Sequence, residues 1–371
     1  MQARCRLIFE LIEHLSPPDL AEEWDNCGIQ AGDPDKTVER VLVALDMDEA
    51  VLSEARKKGA NLVITHHPLI LKGIRQIRED RQPGRLLSEI IRAGITVYSA
   101  HTNLDSAEQG VNEVLAGKLG LLDTRVLKSA GEKYLKLVVF VPVDSVEKVR
   151  EALSGAGAGW IGNYSHCTFM LKGTGTFRPL EGTNPYIGKT GELEKVDEIR
   201  LETILPSRLS GKVISAMQAA HPYEEVAYDL YPLENRPLNK GLGRIGVLKD
   251  TMTLNEFTKR VKEVLNLEAL RYGGPDDRPV KKVAVCSGSG GNFWPLALSG
   301  GADVFLTGDI GYHSARDMLA SGICFIDAGH YGTERVVLEY LGDYLRERCQ
   351  EKGFNIDIIV SSVNGEPFKF V

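Results

Sequence analysis

The sequence predicts an α/β fold interrupted by an inserted ferredoxin-like α+β domain, and three observations point to it. Short β-branched apolar runs alternate with helical patterns through the first third of the chain. The same alternation returns after about residue 240. Between them lies a stretch that makes two β-α-β passes and includes a long turn-rich segment. We set the boundaries at 1–125, 126–236 and 237–371, with the two outer segments forming one α/β domain around the insertion. Insertion is tolerated where the ends of a surface loop lie close together.

The elements follow in order. MQARCRLIFELIEHL mixes Glu10, Glu13 and His14 into an apolar pattern at helical spacing, which predicts an amphipathic helix and not a signal peptide. Val41 to Leu45 reads as a strand, Glu49 to Lys58 as a helix closed by Gly59, and Leu62 to Thr65 as a second strand. A helix around Arg85 to Arg92 leads through Gly94 into the strand Ile95 to Ser99, and Ala107 to Leu119 reads as a helix. These strands are short and apolar enough to be buried on both faces. In the insertion, strands are expected at Leu135 to Val143, Cys167 to Leu171, Arg200 to Leu205 and Val226 to Tyr231. Helices are expected there at Val146 to Leu153 and Leu209 to Ala220, and an exposed hairpin at Gly173 to Gly191. Beyond it, Lys282 to Cys286, Val304 to Leu306 and Cys324 to Asp327 read as strands, and Val336 to Cys349 as a long helix closed by Gly353.

Composition narrows the function classes. A length of 371 residues favours two to three domains. With 43% hydrophobic and 26% charged residues, the chain is neither disordered nor fibrous. Forty-four basic against 51 acidic residues give a net charge of −7, which argues against direct nucleic-acid binding and against an anionic membrane surface. Partners are therefore expected among small molecules, metals and copies of the chain itself. Six cysteines stand scattered without a CxxC pair, as in a reducing compartment, so the expected location is the cytoplasm. The longest apolar runs, such as Leu137 to Val143, fall far short of the roughly 20 residues that span a bilayer, so no membrane helix is expected.

Chemistry concentrates at strand ends. THHP places His66 and His67 at the carboxyl end of a buried strand, where open α/β sheets bind ligands. Adjacent side chains on a regular strand point to opposite faces, so both rings reach one cleft only where the strand yields to loop before Pro68. A packed histidine beside a solvated one is the competing reading. The next strand ends in AHTNLD, which brings His101 and Asp105 to the same edge. Asp105 is of the kind that bridges two cations, whereas His101 suits a third ligand, a residue that orients a ligand, or a catalytic acid/base. An Asx-capped turn is the plainer alternative there. In DAGHYGTE, His330 and Glu334 are four apart, so both project into one cleft if a helix begins by Tyr331. Solvated helices also carry such pairs.

Together these segments supply His66, His67, Asp105, His330 and Glu334. Five ligands exceed one open zinc site. With a carboxylate bridging, they suit two divalent ions per subunit about 3.5–4 Å apart, able to acidify a shared water for hydrolysis. Zinc leads the expectation, with iron, manganese, cobalt and nickel also compatible with imidazole and carboxylate. Other residues carry weaker signals. Trp24 and Asn26 in EEWDNCGIQ could line the cleft or form an aromatic plug and Asx turn. Asp46, Asp48, Asp309 and His313 lie at the same edge and suit either a supporting role or helix capping. SGSGG, Ser287 to Gly291, suits an anion or a tight turn. GTNPYIGKT is no phosphate loop, because five residues including Pro185 separate Gly182 from Gly188. Cys286 and Cys324 read as packing residues.

The ordered set EEWDNCGIQ, ALDMD, THHP, AHTNLD, TGD with YHSARDM, and DAGHYGTE resembles the NIF-three-like family, whose members carry the label GTP cyclohydrolase I type 2 homologue. The resemblance spans nearly the whole chain. It implies a NIF-three-like α/β fold with a two-metal site at His66, His67, Asp105, His330 and Glu334, and a further histidine near the metals at His101. It also implies an inserted PII/CutA-like domain whose closing strand matches HPYEEVAYDLYPL, His221 to Leu233, and a toroidal homohexamer with the metal sites facing a central cavity. The expected function is a metal-dependent hydrolase of a nucleotide-like substrate. GTP cyclohydrolase action would open the guanine imidazole ring by attack at C8 and release formate. The alternative is a non-enzymatic metal-binding regulator or scaffold that uses the inserted domain for sensing or partner binding.

Overall fold

The computed structural model describes residues 3–130, 134–234 and 239–371. The chain divides into two compact units, one built from Met1–Ala130 with Leu238–Val371 and the other from Gly131–Pro237.

The first unit holds two sheets. One is five-stranded, in the order Gly28–Ala31, Thr96–Ser99, Leu62–Thr65, Arg40–Ala44, Asp357–Val360. All its neighbours are parallel except the first pair. Alternation along the strands feeds two cores, as the two-residue repeat of a pleated strand requires. Val41, Val43, Leu62 and Ile64 pack with Ile8 and Ile12 of the amphipathic helix Cys5–Leu15 and with Leu341 and Leu345 of the helix Val337–Glu351. Leu42, Ala44 and Val63 pack on the opposite side with Val51, Leu52 and Ala55 of the helix Glu49–Lys58 and with Ile90 of Gly84–Arg92. Every residue of Leu62–Thr65 is consequently buried. Asp48 caps the helix Glu49–Lys58 by accepting the Val51 N–H, and Gly59 ends it in the left-handed region at φ 68°.

The second sheet has six strands, in the order Arg271–Gly273, Cys324–Asp327, Val304–Thr307, Pro279–Val285, Gly241–Thr253, Leu121–Ser129. Its three apolar strands run parallel, and the remaining strands join antiparallel at either side. The helix expected from Ala107 to Leu119 is confined to Val111–Lys118, and a separate short helix, Thr102–Ser106, precedes it. Ala107 leaves helical geometry at ψ 150°, and its carbonyl accepts from the buried Arg244 guanidinium at 2.9 Å.

The second unit runs strand Tyr134–Pro142, helix Val146–Gly155, strands Thr168–Phe177 and Glu194–Pro206, helix Ser210–Ala220 and strand Tyr228–Leu233. In space the strands lie in the order Thr168–Phe177, Glu194–Pro206, Tyr134–Pro142, Tyr228–Leu233, every pair antiparallel. This is the split β-α-β arrangement. Its core joins Leu137, Val139, Ile199 and Leu201 to Val149, Leu153, Val213 and Met217 on the two helices. Residues 126–129, placed in the insertion by the sequence, complete the strand Leu121–Ser129 of the first unit. Gly173 to Phe177, the start of the expected exposed hairpin, continue the strand Thr168–Phe177 in its ladder with Glu194–Glu198.

Candidate metal centre

Three segments of the first unit converge. The strand Leu62–Thr65 ends at His66 and His67, the strand Thr96–Ser99 leads to His101 and Asp105, and the strand Cys324–Asp327 leads into the short helix His330–Glu334. That helix begins one residue before the latest start the spacing allows, so His330 and Glu334 stand a turn apart. Three groups emerge whose ligand atoms all lie within 4.8 Å of one another: His66, Asp105 and Glu334; His67, His330 and Glu334; and His66, His67 and His101. All six site residues expected from the sequence are thus brought together.

Each imidazole is aimed by an oxygen behind it. His66 Nδ1 lies 2.8 Å from the Ala100 carbonyl, His67 Nδ1 2.7 Å from Asp46, His101 Nδ1 2.8 Å from Asp25, and His330 Nδ1 2.7 Å from Asp309. A carbonyl or carboxylate only accepts, so Nδ1–H donates in every case and Nε2 faces the shared space. His66 Nε2 sits 3.6 Å from Asp105 Oδ1 and 3.8 Å from Glu334 Oε1, too far for a hydrogen bond, and this buried nitrogen has no partner among the described residues. Tetrahedral donors about 2.1 Å from a common ion lie about 3.4 Å apart, so the orphaned nitrogen and its two carboxylates fit a cation between them. Glu334 divides its oxygens, with Oε1 toward His66 and Oε2 2.8 Å from His67 Nε2 and 3.1 Å from His330 Nε2. Ser287 donates its hydroxyl to Asp105 Oδ1 at 3.1 Å.

The electrostatics follow from burial against charge. Burial disfavours protonated His67, but its hydrogen bonds to Asp46 and Glu334 outweigh that and push its pKa up to about 10. The hydrogen bond to Glu334, working against burial, pushes His330 up to about 9. Burial would raise Glu334, yet hydrogen bonds from the histidines hold it well below the usual carboxylate range. Burial, reinforced by the Glu334 charge, pushes Asp105 up. Asp25 is held low despite burial, because His101, Thr102 and Cys27 all hydrogen-bond to it.

The weaker sequence signals resolve individually. Asp46 and Asp309 hold the His67 and His330 rings, Asp48 is a helix cap, and His313 packs edge-on to Tyr312. Trp24 lines the cleft and meets His101 edge-on at 5.9 Å, whereas Asn26 donates to the Ile70 carbonyl. In SGSGG the Gly288 and Gly290 amides are already spent on Thr333 and Thr307, which makes it a structural turn. Burial raises the Cys286 and Cys324 thiols, in keeping with packing. Sequence reasoning passed over Asp25, although it lies between the singled-out Trp24 and Asn26. The one available signal was that His101 needs an acceptor at Nδ1 to present Nε2.

The cleft above these residues has a volume of about 560 Å³ and is walled by Trp24, Leu71 and Phe293, with Lys128 at its side. Among the described residues, no helix is long and apolar enough to cross a membrane.

Known proteins share this frame over its full length. The chain is 46% identical over 365 residues to a Bacillus subtilis protein named GTP cyclohydrolase 1 type 2 homolog, with 98% of each chain covered. It is 45% identical over 370 residues to a Halalkalibacterium halodurans protein of the same name, covering 100% of this chain and 99% of the other. A Bacillus cereus protein described as related to NIF3, whose crystal structure is solved, is 45% identical and superposes with a TM-score of 0.78 over 100% of both chains. Residues 3–367 match a single family description, so the converging strand ends sit in a shared scaffold: the chain belongs to the Duf34/NIF3 (NGG1p interacting factor 3) family.

Proposed function

We propose that the chain is a dinuclear metal-dependent hydrolase of a nucleotide-like small molecule. One divalent ion would be held by His66, Asp105 and Glu334 and the other by His67, His330 and Glu334, with zinc the first candidate. The observation that carries this reading is the position of Glu334, which belongs to both groups and turns one oxygen toward each. An ion pair of this kind lowers the pKa of bound water toward neutrality and polarises the bond to be cleaved. The protein's own part is positioning. Asp46, Asp309 and the Ala100 carbonyl hold the ligating rings, and Ser287 holds Asp105. His101, its tautomer set by Asp25, presents Nε2 to the centre as the acid/base that moves a proton. Trp24 offers an aromatic face to a heterocycle, and Lys128, which pairs with Glu22 at 2.8 Å and lies over the Phe293 ring, a cation to an anionic group. The relatives' names favour a guanine nucleotide.

Incubation of metal-loaded protein with GTP tests the proposal directly. Release of formate that disappears in His67→Ala is expected. Turnover of phosphoesters without formate would move the substrate class and keep the centre. No turnover of any nucleotide at a site with full metal content would leave the non-enzymatic regulator as the better reading. That second reading draws on the unit Gly131–Pro237, whose separate core and split β-α-β strand order suit a PII/CutA-like sensing module. A cytoplasmic homohexamer completes the proposal, and light scattering should return about six times the 40.8 kDa chain mass.

A further inference from the structure

The unit Gly131–Pro237 contains a second cleft, of about 430 Å³, built from its own residues. Its construction begins at His221, which ends the helix Ser210–Ala220. His221 Nε2 lies 3.0 Å from the Phe140 carbonyl and Nδ1 accepts the Tyr223 N–H at 3.1 Å, so both ring nitrogens are occupied and the imidazole is neutral. This turn sets the Tyr223 ring among aromatic neighbours, 5.8 Å from Phe177 and 6.2 Å from Tyr186 between ring centres. The Tyr223 hydroxyl donates to Glu198 Oε1 at 3.1 Å.

Glu198 is the unusual member. It lies on the strand Glu194–Pro206, only 8% exposed, and lines the cleft. Among the described residues, no lysine or arginine stands within ion-pair distance of it, and its Oε2 accepts no hydrogen bond. Arg200, on the same strand, bonds Glu202 at 2.9 Å and lies over the Phe140 ring. A Cβ on Gly175 would come within 2.0 Å of Glu198 Oε2, so only a glycine leaves room for the carboxylate there. Glu224 and Glu225 also line the cleft, and among the described residues no basic side chain does. Burying a carboxylate without a counter-charge is costly, and aromatic faces attract cations, so walls and floor select the same ligand.

We propose that this cleft binds a small organic cation, an ammonium or guanidinium compound, with its charge against Glu198 and its alkyl groups against Phe177, Tyr186 and Tyr223. The site is independent of the metal centre and of the chemistry proposed there. Full-length protein titrated with choline and with methylguanidine, followed by ligand-observed NMR and calorimetry, should bind at least one of them in the millimolar range or tighter. The uncharged carbon isostere of choline should bind at least tenfold more weakly than choline wherever choline binds, as should the bound cation to Glu198→Gln, tenfold corresponding to about 1.4 kcal/mol. Tyr223→Phe, which keeps the aromatic face, should retain binding within a few fold, whereas Tyr223→Leu should lose it. Unchanged thermal unfolding and metal content in these variants would separate loss of the site from loss of the fold. Equal binding of charged and uncharged isosteres, full affinity in Glu198→Gln, or no binding of either cation would each overturn the assignment.

Discussion

His101 and Asp25 make a test of role at the level of single atoms. Asp25 is buried, held ionised by its donors, and bonds the side of the imidazole that faces away from the centre. In Asp25→Asn the amide can still occupy the space, but its NH2 group can drive the ring into the opposite tautomer, with the proton on Nε2. If His101 moves a proton, turnover should fall by about 10²–10⁴-fold while both metals remain bound. Elemental analysis beside a turnover assay decides the matter, since loss of metal in step with activity would make His101 a ligand instead. Asp25 escaped notice in the sequence for a physical reason. A ligand's type can be read from its own chemistry, but the oxygen that orients it is chosen by tertiary closure, here across 76 positions of chain.

At the scale of elements, the turn after Pro279–Val285 constrains the centre from outside. Gly288 adopts φ +59°, and a Cβ there would lie 2.1 Å from Glu334 Oε1. Gly288→Ala should therefore displace the carboxylate shared by both proposed ions and lower metal stoichiometry. Its cost in stability should be at least about 1–2 kcal/mol, the strain of a left-handed alanine, to which the displaced carboxylate adds. Metal analysis and urea unfolding of one preparation would show both, and full metal content in this variant would argue against Glu334 as the shared ligand. A second element is held by Glu54, on the helix Glu49–Lys58, which accepts hydrogen bonds from Lys58 and from Ser361 and Ser362 beyond the strand Asp357–Val360. Burial alone would raise its pKa, but these donors press it down to about 2. A lowered carboxylate stabilises above its unfolded pKa, so the contribution is full above about pH 4.5 and fades as pH falls toward 2. Glu54→Gln should cost about 1–3 kcal/mol at pH 7 and converge on the parent near pH 2, as read by denaturant unfolding. Strands buried on both faces were legible from sequence because every residue but the last is apolar, as in Leu62–Thr65 and Cys324–Asp327. Leu121–Ser129 was not, since it interleaves Asp123, Arg125 and Lys128 with apolar residues and gains its place only by pairing with Gly241–Thr253.

At the scale of the whole molecule, the insertion leaves and re-enters the first unit between paired neighbours. Ser129 stands opposite Gly241 in the antiparallel ladder, and the Ala130 N–H donates to the Lys240 carbonyl at 2.9 Å. The two ends are therefore already where a tight turn would hold them, and loop closure over a few residues costs little. Every side chain of the metal centre lies in the first unit, in segments on both sides of the excised stretch. Replacing residues 131–237 with a short Asn-Gly hairpin turn should leave a folded protein that binds metal at the parent stoichiometry. The excised unit, with its own core on both helices, should fold alone and keep the organic-cation affinity of the intact chain. Circular dichroism and metal analysis of the two fragments test this together. A first unit that folds but holds no metal would mean that the insertion contributes to the centre. An excised unit that folds without binding the cation would place part of that second site outside residues 131–237.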